Sequence, residues 1–200
     1  MKKFSFLSFL VCFSYYSAFS QSPRSSKAYV NTCYNKHQCF SVNETQGCFV
    51  FYNQENQELK VILDFSKFKT GNDTLDVWLD DLDDTYFVFN GFIKNQKVLE
   101  LSPNSAISLN LNGTISFNNV LSSHYSEVSL FEISNQGILH QDYGQDYLDR
   151  VQANIMIAFY PREFKIDKKM HHLKKTIAIA IYRGYINQYK PEYESLFKMN

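Results

Sequence analysis

The stretch ISLNLNGTISF, residues 107–117, alternates apolar and polar positions throughout. Ile107, Leu109, Leu111, Ile115 and Phe117 share one face, and Ser108, Asn110, Asn112, Thr114 and Ser116 share the other. Period two belongs to a β-strand with one buried face, and Gly113 marks a bend or bulge midway. Seven further stretches have strand character: QCFSV (38–42), GCFVFY (47–52), LKVILDFSKF (59–68), TYFVFNGFI (85–93), EVSLFEI (127–133), ANIMIAFY (153–160) and TIAIAIYRGYI (176–186). They are rich in Val, Ile, Phe, Tyr and Thr and are bounded by Asn, Gly, Asp and Pro. Eight strands at short spacing predict a β-rich sandwich or barrel and not alternating βαβ units.

Two segments depart from that pattern. In TIAIAIYRGYI, Ile177, Ile179 and Ile181 alternate with Ala178 and Ala180, so both faces are apolar near its start. One face could line an interior while the other packs under a helix or a second subunit; burial within a sandwich explains it equally well. Between the strands at 59–68 and 85–93, Leu75, Trp78, Leu79 and Leu82 form a helical stripe, which predicts a short helix at about residues 73–84. Asn72 or Asp73 can cap it, and Asp76 complements its positive end.

Six aspartates fall between Asp73 and Asp84. They lack the alternating DxDxDG pattern and closing glutamate of a calcium loop. General acid chemistry needs a carboxyl raised by burial, whereas these belong to a solvated helix face. His37, His124 and His140 are isolated, and consecutive side chains at His171-His172 would point opposite ways before a strand, so no metal site is assigned. GxSxG and Gly-rich phosphate loops are absent. No catalytic residues and no enzyme activity are assigned.

Charge and composition then place the chain. MKKFSFLSFLVCFSYYSAFS, residues 1–20, has Lys2 and Lys3, an apolar core and small residues at Ala18 and Ser20: a secretory signal peptide. Localisation is therefore expected to be periplasmic or secreted, with no membrane span after cleavage. Residues 21–27, QSPRSSK, read as a flexible leader, and residues 28–200 as a single domain. Of 20 lysines and arginines, Lys2 and Lys3 fall in the leader peptide, leaving 18 against 20 acidic residues; nothing global points to nucleic acid. The segment from Arg162 to Lys190 carries eight basic and two acidic residues, opposite in sign to the aspartates. Cys33, Cys39 and Cys48 permit one bridge and leave one thiol, with the pairing undetermined.

LKVILDFSKFKTGNDTLDVWLDDL resembles the part of the YceI-like family, periplasmic polyisoprenoid-binding proteins, where a strand ends in Ser-x-x-Thr-Gly before an Asp-bearing helix. Ser66, Thr70, Gly71 and Asp76 match, with altered spacing after Ser66. LNLNGTISFNNV is similar to a later strand of the family; Val120 fits, while Asn118 and Asn119 replace a common histidine and glycine. In FYPREFKID, Arg162, Phe164 and Ile166 align with an Arg-x-x-Phe-Gly-Ile segment, Lys165 standing where glycine is usual. The resemblance runs in order from about residue 47 to 186.

It implies an antiparallel lipocalin-like β-barrel of about eight strands, with the short helix over one end. It also implies a non-catalytic protein that sequesters or carries an isoprenoid, a quinone or another long-chain lipid. A closed barrel of that size can hold one small ligand, and apolar burial binds hydrocarbon without specific polar contacts. The cavity-facing set is Ile107, Leu109, Leu111, Ile155, Ile157, Phe159, Ile177, Ile179 and Ile181, with Arg162 or Arg183 as candidates to neutralise an anionic head. The alternative is a structural or interaction module with a filled core, whose partner is a second copy or an envelope protein. A small outer-membrane barrel would want an apolar outside and aromatic girdles, which the acidic helix and basic C-terminal third fit poorly.

Overall fold

The structure, a computed structural model, describes residues 22–33, 39–44, 46–69, 71, 73–80, 82, 84–93, 101, 105–132, 151–166 and 176–197. The expected signal peptide, His37, His140 and the His171-His172 pair lie outside them. Nine strands occur among the described residues: β1 (Ala28–Cys33), β2 (Cys39–Glu44), β3 (Cys48–Asn53), β4 (Glu58–Asp64), β5 (Tyr86–Phe92), β6 (Ala106–Phe117), β7 (Val120–Glu132), β8 (Val151–Phe159) and β9 (Ile177–Gln188). β3 to β8 pair in sequence, and β9 pairs with both β8 and β3, so seven strands close a barrel. β1 adds beside β9, and β2 beside β1.

The closing pair departs from the antiparallel expectation. Val50–Tyr52 of β3 run parallel to Ile186–Gln188 of β9. An up-and-down ring with an odd number of strands must leave its first and last members pointing the same way.

The eight expected strands are all present, with two differences. β1 was not anticipated; its alternation is short, with Ala28 and Val30 buried in the core. β7 begins at Val120 and not at 127, because its first half carries an inverted pattern. Leu121 and Tyr125 are 70% and 54% exposed, while the half-buried Ser122 and His124 and the buried Ser126 alternate with them. Polar residues facing in and apolar ones facing out conceal a strand from a periodicity reading.

Turn chemistry supports these elements. Asn118 and Asn119, joining β6 to β7, both take positive φ (49° and 58°), the backbone of a two-residue hairpin turn that favours Asn and Gly. Asn118 Nδ2 also donates to the Phe164 carbonyl oxygen at 3.0 Å, tying the hairpin to the 3₁₀ turn Pro161–Phe164. That turn ends on Lys165 at φ 57°, the left-handed region, at the position where the resembling family has glycine. β4 stops at Asp64, whose carboxylate accepts from Ser66 N, Ser66 Oγ and Thr85 Oγ1 and so holds a 3₁₀ turn at Phe65–Lys67.

Helix α1 spans Asp73–Asp80, shorter than the sequence suggested. Leu79 is buried and Leu82 packs on the core, whereas Val77 is 61% exposed. The exposed Lys69–Asp80 pair at 3.2 Å contributes little. On the opposite side of β3–β5, the C-terminal 3₁₀ helix Pro191–Phe197 lays Tyr193 and Phe197 over Phe51, Ile62 and Val88.

Midway along β9, Arg183 takes φ 52° and its N–H donates to Asn154 Oδ1 at 2.8 Å, where the register with β8 shifts between Ala153 and Ile155. This bulge re-aims the strand. Before it, residues 178–181 pair with β1; after it, residues 186–188 pair with β3. Residues of the expected leader stitch the resulting seam. Ser26 N donates to the Cys48 carbonyl at 2.7 Å, and Tyr185 N donates to Ser26 Oγ at 2.9 Å. The Asn187 side chain accepts from Arg24 N and donates to the carbonyls of Arg24 and Val50.

Candidate functional site

All nine residues of the expected cavity set lie on the inner face of the barrel. Leu111, Ile155, Ile157, Phe159, Ile177, Ile179 and Ile181 are at most 4% exposed, while Ile107 and Leu109 are half-buried against the same core. The two-faced strand is thereby explained. The isoleucines of β9 face inward, and Ala180 lies between Tyr29 of β1 and Met156 of β8 on the outer face.

The two ends of this interior differ. At the end bearing the turns Phe65–Lys67 and Pro161–Phe164, phenylalanines fill the bore. Phe117 packs against Phe65 at 5.1 Å, Phe87 at 5.8 Å, Phe164 at 6.0 Å and Phe159 at 6.1 Å between ring centroids. Phe159 also stacks on Phe87 at 5.3 Å, which places this member of the set in an aromatic plug. His124 stacks on Phe164 at the edge of the plug.

Phe89 sits where the lining changes. A Cβ on Gly91 would come within 2.9 Å of its ring, and one on Gly113 within 2.2 Å of the Asn90 carbonyl oxygen. The two glycines face each other in register, so the ring folds over them and the β5 and β6 backbones approach closely. Beyond Gly113, β6 has no further pairing with β5 among the described residues, while its pairing with β7 continues to Ala106. β6 keeps an unbroken register with β7 through Gly113, so the position carries no bulge in that pairing, and its glycine answers the close approach of the β5 backbone.

Beyond Phe89 the inner wall is aliphatic. Leu59, Leu130, Val151, Ala153, Ile155 and Ile186 are buried there, with Ile107 and Leu109 half-buried. Tyr52 is the aromatic exception, and burial pushes its hydroxyl above the ordinary tyrosine value. Ser126 is a buried polar residue in register with Ile157, and its hydroxyl donates to the Met156 carbonyl at 3.1 Å. Cys48 is a free thiol, fully buried, and burial pushes its pKa up. Arg162 and Arg183 are exposed; Arg162 belongs to the plugged end and Arg183 to the mid-strand bulge of β9.

Tyr52 and Leu59 were missed by the sequence reading. Phe49 and Phe51 make β3 apolar on both faces, and only the C-terminal helix covering Phe51 reveals which face is inner. Among the described residues no group of three His, Cys, Asp or Glu could hold a metal ion, and no helix is long and apolar enough to cross a membrane.

No family model matches the sequence, and no curated protein does. Solved structures do. A polyisoprenoid-binding domain from Saccharophagus degradans implicated in plant cell wall breakdown superposes with a TM-score of 0.59 at 8% identity, over 78% of this chain and 90% of that one. BcnA of Burkholderia cenocepacia superposes with a TM-score of 0.52 at 10% identity, over 78% and 93%. The fold is the YceI-like one that the sequence motifs resemble. At these identities the likeness is one of barrel architecture alone.

Proposed function

We propose that the chain is an exported binding protein, without chemistry of its own, that sequesters or carries an isoprenoid-type or other long-chain lipid in the barrel interior. The observation that carries this reading is the aliphatic wall beyond Phe89, which continues from Ile155 and Leu111 to the half-buried Ile107 and Leu109. Each buried methylene contributes ~0.8 kcal/mol, so ten contribute about 8 kcal/mol, a micromolar affinity before ordering costs are subtracted. Isoprenoids and quinones fit such a wall, with the Tyr52 hydroxyl as a polar handle toward that end. The fold shared with a polyisoprenoid-binding domain supports the same reading.

Leu109→Asp tests it, since a carboxylate on a half-buried position disrupts the apolar wall while leaving the plugged end intact. Protein incubated with geranylgeraniol or a quinone is passed over a sizing column, and the co-eluting lipid is quantified. Wild type retains about one equivalent, and the variant retains at least tenfold less. Equal retention by both contradicts the interior as the site.

The ring-filled end favours one second reading: a packed barrel that serves as an interaction module, partnered by a second copy or an envelope protein. Light scattering separates the two, because a strict monomer that takes up lipid excludes it.

A further inference from the structure

The outer face of the barrel carries a groove of about 680 Å³ across β5, β6 and β7, distinct from the lipid wall. Asn90, Thr114 and Ser123 stand in register on the three strands and form one polar row. Two residues further along, Asn112 and Tyr125 pair in register, about 7 Å from the first row at the rise of a strand, and Phe92 joins them in the lining. Gly113, His124 and Ala158 complete the lining.

Three features of this groove converge. It contains no lysine, arginine, aspartate or glutamate, although a fifth of the chain is charged. It exposes two aromatic faces, Phe92 at 51% and Tyr125 at 54%, on either side of the Asn112 amide. Finally, Asn90 Oδ1 is buried and has no protein hydrogen-bond donor. His124 Nε2 likewise makes no hydrogen bond and lies 3.2 Å from Glu163 Oε2.

From these we infer that the groove is a binding site for a neutral pyranose oligosaccharide. A sugar ring presents a flat face of C–H groups, which suits the negative face of an aromatic ring. Its hydroxyls both donate and accept, which suits amide and hydroxyl side chains and fills the open acceptor of Asn90. An uncharged lining gives an anionic glycan or an acidic peptide no counter-charge. The two rows together span about one to two sugar rings. The site is independent of the lipid reading, because its side chains other than His124 point away from the barrel interior.

The test is amide NMR on the full chain titrated with cellohexaose, maltohexaose and a galacturonate hexamer. Shifts confined to residues of the three strands with a neutral hexamer, weakened at least tenfold by Tyr125→Ala and by Asn90→Ala, establish the site. Tyr125 is exposed, so its variant keeps the melting temperature of wild type and isolates the contact from folding. No shift with either neutral hexamer at millimolar concentration, shifts that Tyr125→Ala leaves unchanged, or tighter binding of the galacturonate hexamer would each overturn the proposal.

Discussion

The two ends of the barrel use the same inward alternation for opposite purposes. At one end, Phe65, Phe87, Phe117, Phe159 and Phe164 interlock ring against ring, and short turns anchored by Asp64 and Asn118 close over them. At the other, the wall is made of leucine, isoleucine, valine and alanine, and β6 keeps its pairing with β7 as far as Ala106. Rigid rings fill space with fixed geometry, whereas branched aliphatics leave a surface that any hydrocarbon can match. Stability is concentrated at the first end, and the proposed binding at the second.

The largest effect should therefore come from the plug. Phe117→Ala removes a ring with four aromatic neighbours and is expected to cost about 3–5 kcal/mol in urea unfolding. Leu109→Ala, at the half-buried end, should cost well under half of that. Comparable losses at the two positions would erase the distinction.

A second effect belongs to the β1–β2 hairpin, which extends from the plugged end. Cys33 and Cys39 are direct partners in its register, and antiparallel partners lie 4.5–5.5 Å apart at Cα, within reach of a disulfide. With Cys48 buried and free, Cys33–Cys39 is the expected bridge in protein from an oxidising compartment. Peptide mapping without reductant should link these two, and reduction should cost roughly 2–3 kcal/mol for so short a loop. A bridge involving Cys48 would contradict the buried position of that thiol.

Smaller still is Lys165→Gly, which relieves a left-handed backbone beneath the plug and should add about 1 kcal/mol. The smallest effect sits at the opposite end. There the Tyr189 hydroxyl donates to the Glu194 carboxylate, and burial together with that neighbour pushes its pKa up to about 12. The folded value lies above the ordinary tyrosine value near 10. The contribution is therefore complete below about pH 10 and is lost as pH rises toward 12. Tyr189→Phe should flatten the decline in the urea midpoint across that window, and an unchanged decline would assign it to other groups.

Much of this contrast could be read from the sequence. The alternation of Ile107, Leu109 and Leu111, and the isoleucines of β9, identified an inner face directly, because period two survives wherever one side of a strand meets water. It failed where the pattern was doubled or inverted. Phe49 and Phe51 hid the inner face of β3 under a helix 140 residues later in the chain, and Ser122, His124 and Ser126 turned polar side chains inward on β7. The seam sealed by Ser26 and Asn187 left no local sign, since its meaning lies in contacts between distant parts of the chain. The external groove was equally silent, because Asn90, Thr114 and Ser123 are ordinary outward residues until the register aligns them.

The central claim is that the aliphatic end holds a lipid. Native mass spectrometry of protein isolated from its native source, before and after organic extraction, tests it most directly. The account predicts an added mass in the range of a long-chain hydrocarbon that extraction removes and an added isoprenoid restores. A single bare mass, unchanged by extraction and by offered isoprenoids, would contradict it and leave a barrel packed from end to end.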